Sequence, residues 1–241
     1  MTTREVLAWL EKTGTKAARD GMARYGIVAR HACGVPMGAL LKKSKEIGTD
    51  QALSLSLWKT DCYEARLLAA LIGDPLQVTR AQMKAWGNSF ENWADGDTAC
   101  FKLFDQTPLA WEFVEIWAKS PRENTKRAAF ALLASLALHD KKATDERFAA
   151  LLPMIEAAAP DERNFVVKGI SWALRSIGRR SPNLSASCIE LAKRLEASDV
   201  PTTRWIGKDV ARELLMLAKK RAASGGPRKP VAPKKSVARK R

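Results

Sequence analysis

Histidine is nearly absent from this chain of 241 residues, which contains only His31 and His139. The four cysteines, Cys33, Cys62, Cys100 and Cys188, are far apart and form no CxxC pair. Ligand sets of the usual spacing are therefore missing, and neither a metal nor any other cofactor is expected. Thiols placed this way fit a reducing compartment, so the expected location is cytoplasmic. No apolar stretch reaches the roughly eighteen residues that a membrane-spanning helix requires. The opening MTTREVLAWLEKTG carries Arg4, Glu5, Glu11 and Lys12 where a secretion signal would be apolar. Tyrosine occurs twice, β-branched runs are few, and no hairpin dipeptide separates alternating segments, so strand signals are weak.

Acid is also in deficit. Against 41 Lys and Arg stand 26 Asp and Glu, which gives a net charge of +15 and a pI near 9.9. A field of that sign attracts phosphate backbones. Hydrophobic residues make up 46% of the chain, enough for a real core. Their spacing predicts helices near 2–12, 15–30, 36–46, 49–59, 61–72, 80–86, 91–104, 108–118, 123–138, 143–157, 161–179, 183–196 and 201–221. Thr79, Asn124 and Pro201 suit helix starts, and Gly14, Gly48 and Gly73 suit stops. Short helices, each with one apolar face and joined by brief connectors, pack most simply as stacked antiparallel pairs. The expected fold is all-α, a HEAT-like α-solenoid with a concave basic groove.

From Ala222 to Arg241 the composition changes to three prolines, two glycines, seven cations and no acid. Such a segment cannot bury enough to fold alone. The expected division is a repeat domain over 1–221 and a disordered basic tail over 222–241, adding salt-sensitive phosphate contacts. A monomer is the default.

Four residues stand out as ill-suited to structural roles. In the helix near 161–179, Val166, Ile170, Ala173 and Ile177 form the apolar face, while Lys168, Trp172, Arg175 and Arg179 lie opposite. Trp172 thus interrupts a cationic stripe; it either contacts nucleic acid among phosphate-binding cations or packs on a neighbouring helix pair. Near 91–104, Trp93, Asp97, Cys100 and Phe104 share a stripe, placing a carboxylate on an apolar face. Either Asp97 meets an arginine from elsewhere or its charge is used in a cleft. Arg127 lies in the first turn of its helix, where the dipole disfavours a cation. A phosphate or carboxylate partner, or plain surface exposure, would each account for it. Arg24 and Tyr25 are further candidates for DNA contact, with core packing the alternative for Tyr25. The remaining tryptophans, Trp9, Trp58, Trp86, Trp111, Trp117 and Trp205, sit among leucines and alanines and are read as core.

MARYGI at 22–27, LWKTDCYEARLLA at 57–69, NWADGD at 92–97, KRAAF at 126–130 and KGISWALRSIGRRSP at 168–182, in that order, give the chain a family likeness. Over roughly residues 20–215 it resembles the AlkD-like DNA alkylation repair glycosylases, a HEAT-like repeat family that excises cationic alkylpurines from duplex DNA. The resemblance implies a catalytic aspartate at Asp97, cleft tryptophans at Trp93 and Trp172, a cleft arginine at Arg127 and a DNA-contacting tyrosine at Tyr25. Ala94 and Gly96 depart from the family's more usual acidic and aliphatic residues. The local chemistry agrees: cleaving an N-glycosidic bond builds positive charge on the sugar, which a fixed carboxylate and aromatic faces stabilise. A base already cationic leaves without a general acid, and none is evident. The expected function is base excision from alkylated duplex DNA, with Lys168, Arg175 and Arg179 on the backbone. The alternative is a non-catalytic relative that binds damaged or branched DNA.

Overall fold

The computed structural model describes residues 1–224, and residues 225–241, most of the predicted basic tail, lie outside the described part. Among the described residues there are fourteen α-helices and no strand. In chain order they are α1 (Thr3–Thr13), α2 (Lys16–Gly21), α3 (Met37–Ile47), α4 (Gln51–Trp58), α5 (Tyr63–Ile72), α6 (Arg80–Ser89), α7 (Trp93–Lys102), α8 (Ala110–Ala118), α9 (Glu123–His139), α10 (Asp145–Ala149), α11 (Leu152–Ala158), α12 (Asn164–Arg180), α13 (Pro182–Glu196) and α14 (Pro201–Ser224).

Local chemistry explains most boundaries. Thr79 caps α6 by accepting from the Gln82 amide, and Asn92 with Asp95 forms a reciprocal capping box at the start of α7. Pro201 opens α14, and Gly14, Gly48 and Gly73 end α1, α3 and α5. Two expected helices are broken. The one predicted over 15–30 is α2 followed by a 3-10 turn, Met22–Tyr25, because Gly26 and Gly34 take φ of +68° and +83° and divert the chain into a loop. The one predicted over 143–157 splits between α10 and α11. Pro153, without an N–H, is accommodated only in the first turn of a new helix.

The helices form two layers. α5, α7, α9, α12 and α14 pack side by side in succession, and α4, α8 and α13 lie behind them against α5, α9 and the α12–α14 pair. Neighbours in the first layer run parallel, since residues meet at a near-constant offset. Asp97 meets Arg127 and Asp105 meets Ser135; Arg175 reaches Glu213 and Ser171 reaches Asp209. This is the stacked-pair solenoid expected from periodicity. One contiguous apolar core runs between the layers, with Phe104, Phe113, Phe130 and Phe148 fully buried. Gly87 lies directly under the Trp117 indole, where an added Cβ would come within 2.7 Å. Among the described residues no helix is long and apolar enough to cross a membrane.

The tryptophan reading needs one correction. Trp58, Trp86 and Trp117 are buried, with Trp58 and Trp86 stacked at 3.8 Å, and Trp9 and Trp111 are partly buried against the core. Trp205 is not core: it is 45% exposed. Its helix buries Ile206, Val210 and Leu214, and the indole falls outside that stripe.

Candidate nucleic-acid groove and catalytic cleft

The capping box fixes where α7 begins and therefore which side chains share its Trp93–Asp97–Phe101 face. Asn92 accepts from the Ala94 and Asp95 amides, while the Asp95 carboxylate accepts from the amides of Glu91, Asn92 and Gly96. With Trp93 as first residue, Asp97 and Phe101 follow it at successive turns on one side. Cys100 and Phe104, placed by sequence in the same stripe as Asp97, are fully buried behind them. Gly96, one of the family departures, lies inside the helix against Phe90 and Ala128.

Asp97 and Arg127 meet. Arg127 donates from Nη2 to Oδ2 at 2.7 Å and from Nε to Oδ1 at 3.1 Å, and its Nη1 donates to the Phe165 carbonyl at 3.0 Å. The carboxylate side chain is only 14% exposed and the guanidinium 9%. A two-point, charge-assisted pair of this kind is geometrically specific. Burial pushes the Asp97 carboxyl above its ordinary range, outweighing the opposing pull of Arg127. The guanidinium also lies 5.4 Å from the Trp93 ring centre and 5.9 Å from that of Phe165.

Trp93 is anchored at its edge, donating from Nε1 to the Tyr25 carbonyl at 2.9 Å. The loop it grips passes so near α12 that a Cβ on Gly26 would come within 2.8 Å of the Phe165 ring. Tyr25 itself is 71% exposed, and Arg24 beside it is exposed with no ion pair among the described residues. The same loop is fastened from below by the buried Glu64, whose carboxylate accepts from the amides of Cys33, Gly34 and Val35.

Trp172 is half-buried and lies flat on Phe101, with ring centres 4.9 Å apart and an interplanar angle of 4°. The residue it stacks on lies one turn along α7 from Asp97. Beyond this stack, Ala134, Ala137, Lys141, Trp172 and Arg179 line a cleft of about 340 Å³. Next to Phe101 is His139, whose Nδ1 lies 2.5 Å from the buried Asp105 carboxylate.

Among the predicted backbone contacts, Lys168 is exposed beside Phe165. Arg175 and Arg179 instead turn to α14. Arg175 donates to Glu213 at 2.9 Å and lies 3.5 Å from Asp209, and Arg179 pairs with the other oxygen of Glu213 at 2.6 Å. The structure thus gathers Trp93, Asp97 and Arg127 tightly, brings Trp172 alongside through Phe101, and sets Arg175 and Arg179 against acids. Sequence reasoning missed Phe101 and Phe165. Phe101 was detectable, since it repeats the four-residue step from Trp93 to Asp97.

Comparison with solved structures finds a protein described as "a new family of proteins related to the HEAT-like repeat DNA glycosylases with affinity for branched DNA structures". It superposes with a TM-score of 0.74 at 19% identity, over 89% of this chain and 96% of that one. At that identity the likeness establishes the shared helical-repeat fold. No curated protein matches the chain. The family model for the DNA alkylation repair enzyme matches residues 6–201, and the chain belongs to the DNA alkylation repair enzyme family.

Proposed function

We propose that this protein is a DNA glycosylase that hydrolyses the N-glycosidic bond of cationic N3- or N7-alkylpurines in duplex DNA. The observation that carries the reading is Asp97, a buried carboxylate between Trp93 and Phe101 that is held at both oxygens by a single arginine. Docking a phosphate backbone gives no reason to place a carboxylate there. A backbone phosphate competes for Arg127, and the exchange of one anion for another leaves Asp97 free beside the target sugar. As the C1′–N9 bond breaks, its electron pair neutralises the cationic purine, and the positive charge passes to the sugar. Asp97 and the face of Trp93 stabilise that charge, the aromatic contributing about 0.5–2 kcal/mol. Water then bonds to C1′, and its proton passes to Asp97 or to solvent. No cofactor enters the balance.

Duplex oligonucleotide containing 7-methylguanine, incubated with the protein and then heated in alkali, tests the reading. Strand breaks at the lesion are expected, and their absence removes the enzyme.

A second reading is favoured by a separate observation. Arg127 is already satisfied by Asp97 and the Phe165 carbonyl, and Phe101 covers one face of Trp172. A cleft closed in this way suits a protein that docks on damaged or branched DNA without excising a base, the affinity named for the structural neighbour. Binding without strand breaks selects this reading.

A further inference from the structure

The N-terminal ends of α7, α9, α12 and α14 carry a row that extends past the cleft. Asp97, Arg127, Lys168 and Trp205 are each the fifth residue of their helix, in α7, α9, α12 and α14. Because these helices lie parallel and adjacent, the four positions follow one another across the groove edge. Successive members are linked: Asp97 pairs with Arg127, Arg127 and Lys168 both lie 5.9 Å from the Phe165 ring centre, and Lys168 and Trp205 line one cleft.

That cleft has a volume of about 330 Å³, with Val167 and Pro201 as apolar wall, Asn164 and Thr202 as polar groups and Glu162 as its acid. Trp205 opens into it nearly half exposed, although a tryptophan with no role in binding is ordinarily buried. Thr202 Oγ1 is buried in the wall with no hydrogen-bond partner. Lys168 makes no ion pair among the described residues, and the cleft sits at the N-terminus of the 24-residue α14, where the helix dipole favours an anion. An aromatic surface beside an unpaired cation is the arrangement that holds an unstacked nucleotide, base on the ring and phosphate on the ammonium.

We infer that the Trp205–Lys168 cleft is a stacking subsite for one unpaired base of a DNA strand whose duplex lies in the groove. The inference rests on the DNA-binding reading above. A paired base has both faces covered by its neighbours, so the ligand class is DNA with a single-stranded arm or gap.

The test uses the full chain, a blunt duplex, and a forked duplex of the same sequence with 2-aminopurine at successive unpaired positions. With wild type, quenching is expected at one unpaired position near the fork. Trp205→Ala and Trp205→Leu, the latter keeping apolar bulk without the ring, should abolish that quenching and weaken fork binding about tenfold or more relative to blunt duplex. Trp205→Phe should retain most of both. Equal fork affinity in wild type and Trp205→Leu, or no quenching at any position by a wild type that binds the blunt duplex, overturns the subsite and leaves the groove reading standing. Failure of wild type to bind either DNA overturns both.

Discussion

Phe101 lies parallel to Trp172 at 4.9 Å, so one face of the indole that sequence pointed to as a DNA contact is taken by a residue of the same chain. The stack bridges α7 and α12, which are separated in the layer by α9. It is therefore both a brace between the two helices and a wall of the cleft beside it. Offset aromatic pairs contribute about 0.5–1.5 kcal/mol beyond area burial.

Phe101→Ala should accordingly lower unfolding free energy by about 1–3 kcal/mol and raise single-turnover excision of bulky N7 adducts relative to methyl adducts. Denaturant unfolding and quenched-flow excision check the two halves. A variant whose adduct ratio matches wild type would mean that Phe101 braces the helices without covering the site.

Asp97→Asn should abolish excision while leaving affinity for undamaged duplex intact or slightly higher. The substitution releases Arg127 from its anionic partner, and the freed guanidinium remains available to phosphate. The neutral amide keeps an acceptor oxygen toward Arg127 and mimics the uncharged carboxyl that burial favours, so stability should change little. Fluorescence anisotropy on undamaged duplex and thermal unfolding give the readouts; surviving excision would exclude a catalytic role for Asp97.

Acid should stabilise this region. Burial raises Asp95 from an ordinary 3.8 to about 6, against the pull of three backbone amides and Arg66, and raises Asp97 in the same direction. Between about pH 4 and 6 the folded protein holds protons that the unfolded chain has released, so the contribution of Asp95 is fully present below about pH 4. It is lost as pH rises through about 6, by up to roughly 3 kcal/mol. Asp161, held low by Arg163 and Lys126, acts oppositely: its stabilisation is present at neutral pH and lost as acid protonates it. Unfolding free energies of wild type and Asp95→Asn, measured from pH 4 to 7, should therefore differ in slope. Parallel curves would place the proton elsewhere.

Glu64→Ala removes the acceptor for three consecutive amides at Cys33, Gly34 and Val35. Each buried donor left unmade costs about 1–3 kcal/mol, so a loss of at least about 3 kcal/mol is expected. Hydrogen exchange should accelerate first at those three amides. If they stay protected, Glu64 is not what fastens the loop.

The apolar stripe of α12 was legible because Val166, Ile170, Ala173 and Ile177 repeat at helical spacing, and all four are fully buried. The cap at Thr79 and the stop at Gly73 were legible as local hydrogen-bonding choices that a few residues settle, whereas the capping box of Asn92 with Asp95 was not read from the sequence. The loop after Tyr25 was not legible, because its course depends on positive φ at Gly26 and Gly34 and on a carboxylate some thirty residues away. The pairing of Asp97 with Arg127 likewise spans thirty residues, and sequence left open whether the carboxylate meets an arginine or serves a cleft. The two are joined here: the arginine it meets is the one assigned to the cleft. Trp205 was misread because tryptophan among apolar neighbours suggests core, whereas the buried side of α14 is set by Ile206, Val210 and Leu214.

The hydrogen bond from the Trp93 indole to the Tyr25 carbonyl ties the orientation of that ring to a segment sixty-eight positions earlier. With its N–H committed, the indole cannot swivel to follow a ligand and offers only a plane of fixed tilt. Under the proposed function, a sugar entering the cleft would meet the same angle of attack on every encounter, and selection among lesions would fall to the DNA, according to how readily each damaged backbone bends to that angle.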